Sequence, residues 1–146
     1  MLELRNLAPE IHWIPVLQGR DAPDYLAHAE QYERAGIDLV GEPLVGLGSV
    51  CRRANDDNIV AMIREIAELG IRMHGFGVKR SGVARLSQVL ESADSLAWSY
   101  HARREPPLSG CTHKNCANCP RFATAWLDET LASIDRTVAQ QELFPI

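Results

Sequence analysis

The chain has no apolar run long enough to cross a membrane. Its first residues, MLELRNLAPE, lack the basic-then-apolar pattern of a secretory leader. These two absences predict a cytoplasmic protein with no membrane partner. An excess of positive charge is missing too: 15 Lys+Arg against 19 Asp+Glu give a formal net charge of -4. The whole molecule is therefore no polyanion-binding arm, and any nucleic-acid contact needs a local basic patch. Repeats and low-complexity segments are also lacking, which argues against solenoids and disordered linkers. Cysteine is sparse, with 4 in 146 residues, yet three of them crowd into CTHKNCANCP.

What is present suits one α/β domain. Hydrophobic residues make up 46% and charged residues 23%, an ordinary globular balance. IHWIPVLQG (11–19) is a short β-rich run, although Pro15 weakens it. Asp21 and Pro23 signal a helix start, followed by Tyr25, Ala29 and Tyr32 at helical spacing and a stop at Gly36. IDLV (37–40) is the next expected strand. GEPLVGLGSVCRR (41–53) is Gly-rich, with a further strand around Val45. Asn55 or Asp56 caps a helix whose apolar stripe is Ile59, Met62, Ile63, Ile66 and Leu69. IRMHGFGV (71–78) is another strand. Ser81 caps a helix carrying Val83, Leu86, Val89 and Leu90, and SADSLAWS (92–99) returns to strand. Pro120 opens a last helix with Leu127, Leu131, Ile134 and Val138 on one face, and the tail QELFPI docks loosely.

Strand and helix alternating with short joints mean βα units and a parallel sheet. That sheet is either small and open or part of a (β/α)8 barrel, which needs ~250 residues. The break at EPPLSG suggests one unit over 1–105 and a zinc loop with a helix over 106–146.

The cysteine cluster has the form C-x-H-x2-C-x2-C. Cys111, His113, Cys116 and Cys119 make a tetrahedral Zn2+ set of three thiolates and one imidazole. A closed set of this kind is structural. His101 and His74 compete with His113 as the nitrogen ligand, and three unligated cysteines on a loop are the plain alternative. Elsewhere, polar residues and glycines gather at the expected strand ends, where parallel α/β folds bind ligands: Gln18 and Gly19, then Gly46, Gly48 and Ser49, then His74, Gly75 and Gly77. Turn geometry alone would also explain the glycines. Arg52, Arg53, Lys79, Arg80, Arg103 and Arg104 all follow expected strand ends, giving either a basic mouth for a phosphate backbone or a solvated rim. Asp94 stands among Ala93, Leu96, Ala97 and Trp98. A carboxylate in apolar surroundings is either paired or used.

Taken in order, VLQG, GID, VGLGSV, MHGFGV, SADSLAWS and the cysteine cluster resemble the C-terminal half of the tRNA-guanine transglycosylase family. The resemblance is nearest to the queuine tRNA-ribosyltransferase-like branch linked to 7-deazaguanine modification of DNA, and it covers roughly residues 12 to 122. It implies a (β/α)8 barrel with a zinc-binding insertion, and exchange of guanine in DNA or tRNA for a 7-deazaguanine base. Gln18 and Gly19 fall where the family's VQGG touches the base. Gly46 and Leu47 fall where a Gly-Gly-Leu-Ala-Val-Gly stretch offers backbone amides. His74 and Gly75 fall where Leu-Met-Gly-Val-Gly lines the pocket. Asp94 matches the nucleophilic aspartate of a Phe-Asp-Cys-Val context. It would attack C1′, expel guanine and form a covalent glycosyl-aspartate that the incoming base resolves.

The resemblance also marks departures. The family's zinc pattern begins C-x-C-x2-C with a later His. Here His113 takes the middle position and Cys119 replaces the later ligand. The family's Asp-Ser-Gly-Gly-Phe-Gln stretch, with its acid/base aspartate, has no counterpart, and Trp98 and HARR replace the family's residues after the nucleophile. The chain thus looks like half an enzyme, and a half barrel exposes two strand edges that invite a second chain or a second copy. The alternative is a non-catalytic, zinc-containing subunit that binds nucleic acid or a partner.

Overall fold

The computed structural model describes residues 1–51, 53 and 56–143, with side chains of the last helix up to 137. Arg52, the possible cap Asn55, the Val138 side chain and residues 144–146 of the QELFPI tail lie outside that description, whereas its first three residues continue the last helix. The element order is α1 (Leu2–Leu7), β1 (Val16–Leu17), α2 (Ala22–Arg34), β2 (Val45–Leu47), α3 (Asp57–Glu68), β3 (Met73–Gly75), α4 (Arg80–Leu86), β4 (Leu90–Ala93), α5 (Ala97–Ala102) and α6 (Pro120–Leu143). The four strands form one parallel sheet in the order β1-β2-β3-β4. Each crossover that contains a helix returns the chain to the adjacent position, the simplest parallel arrangement.

Local chemistry sets most boundaries. Asp21 accepts the Asp24 N–H at the start of α2, with a proline in the first turn, and Asp56 accepts the Asn58 N–H at the start of α3. Gly36 and Gly70 follow those helices with φ of 78° and 80°, a conformation that glycine adopts without steric cost. The apolar stripe of α3 is buried from Ile59 to Ile66 and packs with Leu17, Val45, Leu47 and Met73 in the main core. Tyr25 and Leu86 complete that core from α2 and α4. At the front of the chain, Arg5 of α1 grips Glu42 through two hydrogen bonds of 2.8 and 2.7 Å and also donates to Trp13 O.

Several expectations are corrected. IDLV is not a strand: Asp38 Oδ1 accepts the Val40 N–H at 3.1 Å and turns the chain instead. The helix near 81 begins at Arg80 with Lys79 as its flanking residue, so Ser81 does not cap it. Leu90 belongs to β4 and not to that helix. SADSLAWS divides: β4 ends at Ala93, Ser95 Oγ accepts the Ala97 N–H at 3.2 Å, and α5 begins. The strand is not buried either, since Glu91 to Ala93 are exposed.

The two sheet edges differ. Pro15 O and Leu17 O accept from Gly46 and Gly48 of β2, so the polar groups of Val16 point away from the sheet. The Tyr32 hydroxyl meets both of them, at 3.1 Å from Val16 N and 3.3 Å from Val16 O. His28 Nδ1 accepts the Gln18 N–H at 3.0 Å. Helix α2 therefore occupies the β1 edge, against the expectation that both edges invite another chain. The far edge, β4, borders a cavity of about 610 Å³ walled by Leu90, Trp98, Trp126 and Ile134.

The Tyr32→Phe variant loses the hydroxyl that closes the β1 edge. It is expected to be less stable by about 0.5–1.5 kcal/mol, with an unchanged circular dichroism spectrum, as measured by urea unfolding.

Candidate functional site

Two rows of residues define the face of the sheet opposite the α2–α3 core. Register pairs Val16 with Gly46, Gly46 with His74, and His74 with Ser92. Side chains alternate along a strand, so the residues two positions on share that face: Gln18, Gly48, Phe76 and Asp94. Main-chain bonds continue the ladder into this second row, from Gly48 N to Leu17 O, Phe76 N to Leu47 O and Asp94 N to Gly75 O. Leu47 and Gly75 alternate to the other face. Leu47 is fully buried in the core, and a Cβ on Gly75 would meet Val78 at 2.7 Å and Leu90 at 3.0 Å.

Both residues contributed by β2 to the site rows are glycines, and their neighbours use the space. A Cβ on Gly46 would collide with the Phe76 ring, and one on Gly48 would lie 2.9 Å from Gln18 Cγ. The Gly46 N–H donates to Pro15 O and the Gly48 N–H to Leu17 O, so this stretch has no free amides to offer a ligand. The exit of β2 is pinned from beneath: the buried Tyr25 hydroxyl donates to Gly48 O at 2.5 Å. Burial pushes the Tyr25 phenol up, which keeps it a donor. Gly19 is needed for packing, because a Cβ there would sit 2.7 Å from both Asp24 Cβ and the Tyr25 ring.

Asp94 follows β4 directly, at the carboxyl end of the sheet. Its side chain is 58% exposed and not engulfed by apolar residues. Oδ1 accepts the Gly77 N–H at 2.8 Å and lies 3.5 Å from His74 Nε2. Among the described residues no partner engages Oδ2. Gly77 has φ of 66°, and a Cβ there would lie 2.7 Å from Cys51 Cβ, so the turn that delivers this N–H needs glycine. His74 Nδ1 is 2.8 Å from Ser92 Oγ, and the Phe76 ring stands edge-on to the imidazole with centroids 4.7 Å apart.

His74, Phe76, Ser92 and Asp94 thus meet in one place. Gln18 does not join them: β1 and β4 are three strand spacings apart, roughly 14 Å. Sequence reasoning missed Phe76 and Ser92. The period-two spacing from His74 and Asp94 was the available signal for both. A larger depression of about 810 Å³ opens near Arg64, Arg72 and Glu91 at the amino ends of β3 and β4, away from these groups.

The basic residues are scattered. Arg53 donates to Arg20 O. Arg80 pairs with Glu129 and lies over the Trp126 ring at 4.7 Å. Arg103 and Arg104 do not follow a strand: α5 separates them from β4, and Arg104 stacks on Tyr100 at 3.8 Å.

The cysteine cluster assembles as expected. One ligand atom from each of Cys111, His113, Cys116 and Cys119 lies within 4.8 Å of the others. Cys111 Sγ and Cys119 Sγ are 3.9 Å apart, close to the ~3.8 Å that two sulfurs on one tetrahedral ion require. His113 Nε2 is 3.2 Å from Cys116 Sγ. Neither His101 nor His74 belongs to the group. The surrounding donors suit thiolates: Leu108 N–H reaches Cys116 Sγ at 3.3 Å and Arg121 Nη1 reaches Cys111 Sγ at 3.7 Å. Cys119 sits where α6 begins, and the Phe122 N–H pulls its thiol down. Cys111 is pushed up, first by burial and then by its sulfur neighbours. The cluster could hold a metal ion, and Cys116 and Cys119 form a second small core with Ala102, Leu108 and Phe122.

The family described as DpdA, DeoxyPurine in DNA protein A, matches residues 5–144. No curated protein and no solved structure matches the chain.

Elemental analysis of the purified chain is expected to find about one transition-metal ion, lost in Cys116→Ser. That loss costs on the order of 3 kcal/mol and lowers Tm by roughly 10 °C. A metal-free wild-type chain with the same Tm would contradict this.

Proposed function

The chain belongs to the DpdA family, which links it to 7-deazaguanine modification of DNA, and on that footing we propose that it exchanges guanine in DNA for a 7-deazaguanine base through Asp94. The observation that carries this reading is the state of that carboxylate. One oxygen is fixed by the Gly77 N–H while the other is uncommitted, at the carboxyl end of a parallel strand. A nucleophile needs to be both held and available.

In this mechanism Oδ2 attacks C1′ of the target deoxyguanosine. The C1′–N9 bond breaks and guanine departs. The 7-deazaguanine base then attacks the same carbon from the vacated side, and the Asp94 carboxylate is released. Two displacements restore the original anomeric configuration, as in retaining glycosidases. The target nucleotide has to leave the duplex stack first. Gly46 and Gly48 let the Phe76 ring and the Gln18 side chain lie close over the middle of the sheet, so the ring offers a flat heterocycle a stacking surface. The Gln18 amide is the proposed reader of a purine edge, while Leu47 and Gly75 face the core and Gly19 packs on Asp24 and Tyr25. Arg53, Arg80, Arg103 and Arg104 are the proposed backbone contacts.

The order β1-β2-β3-β4 is also what a (β/α)8 barrel uses, and we assign these strands to such a barrel, completed by further strands. Zinc is the proposed occupant of the Cys111–His113–Cys116–Cys119 set. Its chemistry there is structural: it holds the loop to α6 and takes no part in the exchange.

Asp94→Asn and Asp94→Ala are expected to abolish incorporation of labelled 7-deazaguanine into DNA, with Tm changed by only a few degrees. Wild-type wells should also yield a covalent DNA–protein adduct. Normal exchange by Asp94→Asn would overturn the reading. DNA binding by a wild-type chain that never exchanges a base would favour the non-catalytic subunit instead.

A further inference from the structure

We infer that His74 is the proton carrier of the exchange, held in a Ser92–His74–Asp94 relay. This rests on the reading that Asp94 forms the glycosyl bond. Guanine does not leave C1′ readily as an anion, and the incoming base arrives with a proton on the nitrogen that must form the new bond. Both half-reactions therefore need one group that gives a proton and takes it back.

The imidazole is placed for this. Nε2 is 3.5 Å from Asp94 Oδ1, so it stands beside the attacking carboxylate. Nδ1 is 2.8 Å from Ser92 Oγ. A serine hydroxyl both donates and accepts, so it can hold the ring in either protonation state. Phe76 braces the ring edge-on. The next residue in the same row is Gly46, over which the Phe76 ring lies. Asp94 is the charged side chain that meets the ring among the described residues, and its side chain is 58% exposed against 17% for His74.

The steps balance. In the first half, the Asp94 oxygen bonds to C1′ as the C1′–N9 bond breaks. The electron pair stays on guanine, and the imidazolium supplies a proton, leaving neutral guanine and neutral imidazole. In the second half, the incoming nitrogen gives its proton to the imidazole and bonds to C1′ as the ester C–O bond breaks. The carboxylate and the imidazolium are restored, and no other reagent is consumed. Ser92 is a positioning residue in this scheme.

The test uses the full-length chain and follows adduct formation in a single turnover. His74→Gln and His74→Asn are compared with wild type across pH, each checked by Tm so that one folded variant suffices. Two DNAs are used, one carrying guanine and one carrying N7-methylguanine, a cationic base that departs neutral without a proton. Wild-type adduct formation on guanine is expected to fall as pH rises. The variants should be about a hundredfold slower on guanine, lack that pH limb, and match wild type on N7-methylguanine. Equal loss on both DNAs by a folded variant, or wild-type rates on guanine with the limb intact, would overturn the inference and leave Asp94 as nucleophile untouched. Adduct formation by Asp94→Asn would overturn the underlying reading instead.

Discussion

The parallel register of four short strands governs everything else in this molecule. It aligns Val16, Gly46, His74 and Ser92 in one row and carries Gln18, Gly48, Phe76 and Asp94 into the next. A shift of one residue would send His74 into the core and turn Met73 outward. The register is secured from the opposite face, where Leu17, Val45, Leu47 and Met73 pack on α2 and α3 with almost no exposure. Hydrophobic burial on one face thus positions the polar chemistry on the other. Glycine at 46 and 48 lets the Phe76 ring and the Gln18 side chain lie close over the middle of that face.

The Cys111–His113–Cys116–Cys119 cluster, which could hold a metal ion, belongs to a second core apart from the main one. It joins the end of α5, the segment near Leu108 and the start of α6 into a small core. Helix α6 then lies along α4 and α5, held by Arg80 against Glu129 and Trp126 and by the His101–Trp126 ring contact. Its exposed leucines, Leu127 and Leu131, turn toward the cavity beside β4. The expected apolar stripe exists, but it walls a cavity instead of sealing a core.

How far the sequence revealed the molecule depended on the range of the interactions involved. Alternating βα units, the α3 stripe and the cysteine set are local patterns, and each was legible. The burial argument that singled out Asp94 was mistaken: it is half-exposed at a strand end and not buried within a strand. IDLV failed because the Asp38 side chain competes with strand pairing, an outcome that apolar periodicity cannot register. SADSLAWS failed at Ser95, whose hydroxyl accepts the Ala97 N–H where the chain turns from strand to helix. Gly77 looked like turn geometry alone, yet its N–H holds the carboxylate. Phe76 and Ser92 stayed hidden because their meaning comes from neighbours on other strands.

The engagement of β1 by Tyr32 and His28 makes the sheet polar as a building block. Copies cannot stack tail to head into an endless ribbon unless α2 first releases three hydrogen bonds. Any growth has to start from the β4 side, and two such sides meeting would close on themselves after a single step. The open strand border beside Asp94 thereby carries no route to runaway polymerisation.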